Sequence, residues 1–195
     1  MAGAGMYTIG GNNKDCKYEG TFSASKLTKV GTGALSLTTV QSSIATSDVY
    51  VNGGVLSLEN AKYEENFFGL NTIRCSGEGT TLMGRTKVAD VYIENGASLM
   101  PGCYTDAERY GNMMLSNVYI YEGSSLDLLL RNTRGKTTSL SNITVSRNII
   151  IKGDVNVVLG VSFTPKADVE FTLWTCSSFE KTASAKINLP ELPEG

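Results

Sequence analysis

Residues 48–60 read DVYVNGGVLSLEN, residues 90–101 read DVYIENGASLMP, and residues 117–128 read NVYIYEGSSLDL. Each stretch places Asp or Asn before Val-Tyr, follows with Val or Ile and a Gly-bearing turn, and ends in a second short run around Leu. Side chains alternate faces along a strand, so Val49 and Val51 share one face and Tyr50 takes the other. The same alternation turns Val91, Ile93, Val118 and Ile120 inward and Tyr92 and Tyr119 outward. Copies stacked on one another then bury a Val/Ile column and display a Tyr column. Gly53, Gly54, Gly96 and Gly123 turn the corner, where positive φ is cheap for Gly, and Leu56, Leu58, Leu99, Leu126 and Leu128 form the next wall. Asp48, Asp90 and Asn117 recur just before the Val-Tyr step. A repeated acidic position raises a cation ladder, but such side chains commonly bond their own backbone in a strand-opening turn. The neutral Asn117 favours the turn.

Weaker units surround these three. MYTIGG near Tyr7, SKLTKVGTGALSLTT near Leu27, NTIRCSGEGTTLMG near Ile73 and SRNIIIKGDVNVVL near Ile149 repeat the pattern. Taking Tyr7, Leu27, Val49, Ile73, Val91, Val118 and Ile149 as markers gives spacings of 20, 22, 24, 18, 27 and 31 residues. Recurrence at this period, in units too short to bury their own faces, marks a solenoid. The units are strands, which excludes helical solenoids, and the Leu-x-x-Leu-x-Leu signature of leucine-rich repeats is absent. The expected fold is all-β: one parallel β-helix domain over residues 1–195, with about seven short coils. Uneven spacing places inserted loops near 61–70 and 103–114, and the helix-like segments Tyr63–Phe68 and Asp106–Met114 read as loops or single turns within them. Pro190 and Pro193 cannot donate ladder hydrogen bonds, so the tail 171–195 is expected to supply a capping strand and to close or cross one end.

Composition narrows the function. Seventeen basic against nineteen acidic residues leave a net charge of −2, without the basic footprint that nucleic acid or an anionic membrane demands. No stretch reaches the roughly 18 apolar residues of a membrane span. The opening MAGAGMYTIGG has neither a basic region nor an apolar core of the signal-peptide kind. Cys16, Cys75, Cys103 and Cys176 stand far apart, and the chain has no His, so no metal site or cofactor is expected. Buried thiols and disulfides both remain open.

LTKVGTGALSLTT (27–39) followed by DVYVNGGVLSLEN (48–60) resembles the autotransporter-associated β-strand repeat. Leu27, Thr28, Lys29, Gly31, Gly33, Leu35 and Leu37 match its first half, and Val49, Val51, Gly53 or Gly54, Leu56 and Leu58 its second. FTLWTCSSFEKTASAKINLPELPEG (171–195) is similar to the closing segment of secreted bacterial β-helix proteins that carry such repeats. The resemblance implies a right-handed parallel β-helix, exported or held at the outer cell surface, as a module of a larger bacterial protein. The family has no shared catalytic residues to carry over.

The residues themselves give little chemistry. Absence of His excludes Ser-His-Asp and Cys-His nucleophiles. Gly31-Thr-Gly33 and Gly77-Glu-Gly79 lack the Gly-Lys-Ser/Thr continuation of a phosphate loop. A glycosidase needs two carboxylates about 5–10 Å apart; the near pairs Glu64/Glu65 and Asp106/Glu108 sit in the inserted loops. The loop 103–114 gathers Tyr104, Asp106, Glu108, Arg109 and Tyr110, types that stack on sugars and hold their hydroxyls, and is the candidate ligand site. The expected role is a structural or adhesin-like stalk, with neighbouring domains, a surface glycan or a host glycoprotein as partners. A carbohydrate-binding module is the alternative, and a polysaccharide lyase or glycosidase a more distant one.

Overall fold

A computed structural model describes residues 5–20, 22–39, 44–60, 72–102, 104, 111–132, 138–160 and 170–191. Among them there is no helix. The strands form two sheets, and from Gly5 to Asn132 they alternate between the two in chain order. The first sheet runs through Gly5–Ile9, Phe22–Lys29, Ile44–Val51, Thr72–Ser76, Lys87–Glu94, Met113–Ile120, Ile143–Val145 and Trp174–Thr175. Asn148–Ile151 also pairs with Met113–Ile120, and Ser178–Lys181 with Asn148–Ile151. The second sheet runs through Cys16–Tyr18, Ala34–Thr39, Val55–Asn60, Thr81–Arg85, Ser98–Pro101, Ser125–Asn132, Asp154–Leu159 and Ile187–Asn188. Every neighbour pair along both paths is parallel; Thr138–Leu140 adds an antiparallel pairing to Ser125–Asn132. This winding fits a parallel β-helix.

The pairing register follows the sequence markers. Tyr7 pairs with Leu27, Leu27 with Val49, Val49 with Ile73, Ile73 with Val91, Val91 with Val118 and Val118 with Ile149. The column continues one position further, to Phe179. On the second sheet Leu35, Leu56, Leu82, Leu99, Leu126 and Val155 form the matching column, with Cys16 before it and Ile187 after it. From Leu27 to Ile149, and from Leu35 to Val155, every member of these columns is buried in one hydrophobic cluster. A one-residue slip would reverse all of these faces at once, so apolar burial pins the register.

A third inward column runs Ile9, Lys29, Val51, Cys75, Ile93, Ile120, Ile151 and Lys181. Cys75 fills a Val/Ile position, and burial pushes its thiol up to about 12. Lys29 is only 1% exposed, yet its ammonium is satisfied. Nζ donates to the carbonyls of Val30 at 2.9 Å, Gly31 at 3.0 Å and Gly53 at 2.9 Å, which uses all three of its protons. Lys181, at the other end of the column, likewise donates to the Thr182 and Ala185 carbonyls. The lysines thus clamp the carbonyls that a tight corner turns inward. The corner needs glycine: Gly31 has φ 73° and Gly54 φ 61°, and a Cβ on Gly31 would stand 2.2 Å from the Gly10 carbonyl oxygen.

Two local expectations are corrected. Asp48, Asp90 and Asn117 do not open their strands, which begin at Ile44, Lys87 and Met113; they lie within them. Met113 and Met114, placed by the sequence at the end of an inserted loop, begin a strand, because Met113 and Leu115 alternate inward ahead of Val118. The tail expected to cap the stack is described as far as residue 191. It supplies short strands to both sheets and extends the columns.

Val91 is fully buried, so Val91→Asp should cost about 3–5 kcal/mol in urea unfolding, whereas Tyr92→Ser should cost about 1–2 kcal/mol through loss of ring contacts. Lys29→Met should cost about 2–3 kcal/mol, since three corner carbonyls lose their donor. Burial holds the Lys29 ammonium below its ordinary 10.5, with Cys16 and Asp15 pulling the other way. The folded state therefore binds fewer protons than the unfolded chain between the depressed value and 10.5, and stability rises with pH across that window. Unfolding midpoints measured across alkaline pH should show this rise in the parent and not in Lys29→Met.

Candidate binding surface

The outward positions of the first sheet form one column: Thr28, Tyr50, Arg74, Tyr92, Tyr119, Ile150 and Glu180. The Tyr column read from the sequence is therefore real but mixed, with Arg74 standing between Tyr50 and Tyr92. The Tyr92 and Tyr119 rings are stacked, with centroids 4.6 Å apart and planes within 7°. The Arg74 guanidinium carbon lies 4.1 Å from the Tyr92 centroid, and the Lys26 ammonium 4.2 Å from that of Tyr50. Arg74 Nη1 also donates to Glu94 Oε1 at 3.0 Å. Both faces of Tyr92 are thus occupied, one by a cation and one by a ring. Burial first, and then Tyr119 and Asp90, raise the Tyr92 phenol above its ordinary value, while Arg74 opposes them.

Two positions earlier on the same face runs a polar row. Asn117 Nδ2 donates to Asp90 Oδ1 at 2.7 Å, and Asn148 Nδ2 donates to Asn117 Oδ1 at 3.0 Å. The second sheet carries its own version, Asn188 to Asn156 at 2.8 Å and Asn156 to Asp127 at 2.7 Å. These side chains bond across coils, not to their own turns.

Of the five residues proposed for ligand contact, Tyr104 is described, while Asp106, Glu108, Arg109 and Tyr110 lie outside the described residues. Tyr104 is folded back onto the second sheet. Its N–H donates to Ser57 Oγ at 3.0 Å and its hydroxyl to Asp15 Oδ2 at 3.0 Å. Ser57 Oγ in turn donates to Glu59 Oε1 at 2.7 Å, and Ser36, Ser57 and Met83 on this outer face are buried. Asp15 Oδ1 accepts from the Ala34 N–H at 2.8 Å. Sequence reading missed the Asp15–Tyr104 pair, 89 residues apart. It also missed Arg74, although counting one residue past the marker Ile73 would have put it in the Tyr column.

The carboxylate pairs Glu64/Glu65 and Asp106/Glu108 lie outside the described residues. Among the described residues no three His, Cys, Asp or Glu side chains converge on a possible metal site. Cys16, Cys75 and Cys176 are free thiols, and Cys103 lies outside the described residues. Clefts open at the two ends of the stack. One of about 420 Å³ is lined by Tyr7, Ile9, Cys16, Lys17, Tyr18, Leu35 and Leu37, and one of about 370 Å³ by residues that include Leu130, Val157, Phe171 and Leu189. A third, of about 180 Å³, lies on the outer face of the first sheet, over Ile150. No family model matches the chain, and no curated protein matches it.

The Ala34 N–H, and after it the Tyr104 hydroxyl, hold the Asp15 carboxyl below its ordinary 3.8. A depressed folded value adds stability that is present above 3.8 and is lost as pH falls through the folded value. The difference in melting temperature between the parent and Asp15→Asn should therefore be largest near neutrality and shrink on acidification below 3.8.

Proposed function

We propose that the chain is a non-catalytic spacer: a right-handed parallel β-helix of about seven coils that serves as a stalk or adhesin-like module within a larger exported bacterial protein. One observation carries this reading. The distinctive side chains of the repeat are engaged with their neighbours in the stack. Lys29 binds corner carbonyls, Arg74, Tyr92 and Tyr119 stack on one another, and Asp90, Asn117 and Asn148 bond in series. Residues arranged to hold coil upon coil suit a part whose task is length and rigidity. The resemblance of residues 27–58 to repeats of surface proteins supplies the outer-surface location and the role of neighbouring domains as partners.

A spacer is modular, and excision tests this. Ile73 and Val91 are partners in register, so deletion of residues 73–90, joining Thr72 to Val91, removes one coil and keeps the marker columns aligned. The shortened chain should fold cooperatively, melt a few degrees lower, and be shorter along the stack by one strand spacing, ~4.8 Å, in small-angle scattering. A shortened chain that is unfolded, or a parent that turns over a polysaccharide, would refute the spacer.

A further inference from the structure

The run of stacked groups Arg74, Tyr92 and Tyr119 on the outer face of the first sheet stops at Tyr119. Arg74 covers one face of Tyr92, Tyr119 covers the other, and the next position in the column is Ile150. The remaining face of Tyr119 has no ring or cation in register with it. Over Ile150 lies the cleft of about 180 Å³, lined by Tyr119, Ile120, Tyr121, Ile150 and Lys152. Its place in the ladder is that of one further ring.

The charges around it select the occupant. Lys152 lines the cleft, with its ammonium 5.9 Å from the Tyr121 centroid, and opposes a cation over Tyr119. Glu180, the exposed register partner of Ile150, opposes an anion on the other side, and Glu122 lies in the adjoining exposed turn. One charge of each sign flanks the site and neither a cation nor an anion is favoured, whereas a neutral ring bearing hydroxyls finds a donor in Lys152 within the cleft and an acceptor in Glu180 beside Ile150. Its apolar face needs a flat aromatic partner, and Tyr119 offers one held rigid by Tyr92 and Arg74. Pockets that combine an apolar floor with a few convergent polar groups are the usual small-ligand sites.

We propose that this cleft is a subsite for one neutral hexopyranose ring of a glycan, stacked on Tyr119 above Ile150, with its hydroxyls held by Lys152 and Glu180. The site stands on the end of that stacked run and goes beyond the spacer reading. Coil excision tests the spacer, and the titration below tests the cleft, so either can fail alone. One ring in a shallow cleft binds weakly, at ~millimolar affinity, and specificity for longer chains comes from repeated or neighbouring contacts.

Cellohexaose, mannohexaose and β-1,4-galactan oligomers serve as neutral probes, oligogalacturonate as an anionic one and chitosan oligomers as a cationic one. In NMR titrations of the parent chain, at least one neutral oligomer should shift the Tyr119 ring and Ile150 methyl resonances saturably, ahead of both charged probes. Ile150→Tyr places the next ring of the ladder in the cleft. It should weaken binding about tenfold or more while leaving the melting temperature unchanged or higher. Lys152→Met, at an exposed position, should weaken binding without loss of fold and serves if the first variant does not fold. Absence of a saturable shift with any neutral oligomer, preference for a charged one, or unchanged binding by a folded Ile150→Tyr or Lys152→Met would overturn the proposal.

Discussion

Parallel stacking in strict register is the constraint on which the rest of the molecule depends. Adjacent strands sit about 4.8 Å apart, so a residue's nearest neighbours are its equivalents in the coils before and after it. A side chain must suit its own kind, or something complementary to it, above and below. The inward columns meet this with Val, Ile and Leu, which pack on themselves without regard to sign or direction. Lys29 meets it differently. It occupies an inward position only because the corner beside it presents three carbonyls to its ammonium. A buried cation with no such partners would be far more costly.

The outer face meets the same constraint with direction. An Asp side chain only accepts, whereas an Asn both donates and accepts. In both polar rows the carboxylate comes first in the chain and amides follow, each donating back to the coil before it. Two carboxylates in register would repel, so Asn117 after Asp90 is what a row of this kind requires. Arg74 likewise puts a cation against a face of Tyr92 that would otherwise meet water.

Architecture was legible in the chain because the columns repeat. Seven markers chosen from hydrophobic alternation fall into one register, and the turn glycines Gly54, Gly96 and Gly123 take the positive φ expected of them. Less was legible wherever a residue departs from its column. Phe179 was not read as an eighth marker, since its strand is short and exposed and lacks the alternation that gave the others away. Local bonding is the commoner habit of Asx residues and points Asp90 and Asn117 to turns, and only the stacked partner makes the ladder available. The Tyr104–Asp15 bond joins segments separated by four intervening coils' worth of chain, and no local pattern announces it. The cleft over Ile150 was invisible for a further reason: it is defined by a ring that the column omits.

Uniform stacking also bears on how the chain reaches its fold. Successive markers pair across 18 to 31 residues, whether they lie near the start of the chain or near its end. Each coil closes a loop of similar size, and the entropic cost of closure varies only with the logarithm of that size. Adding coils lengthens the chain without lengthening any loop, so relative contact order falls as the protein grows. Growth from an existing edge then proceeds coil by coil at a nearly constant step cost, and a chain delivered one end first can order itself as it arrives.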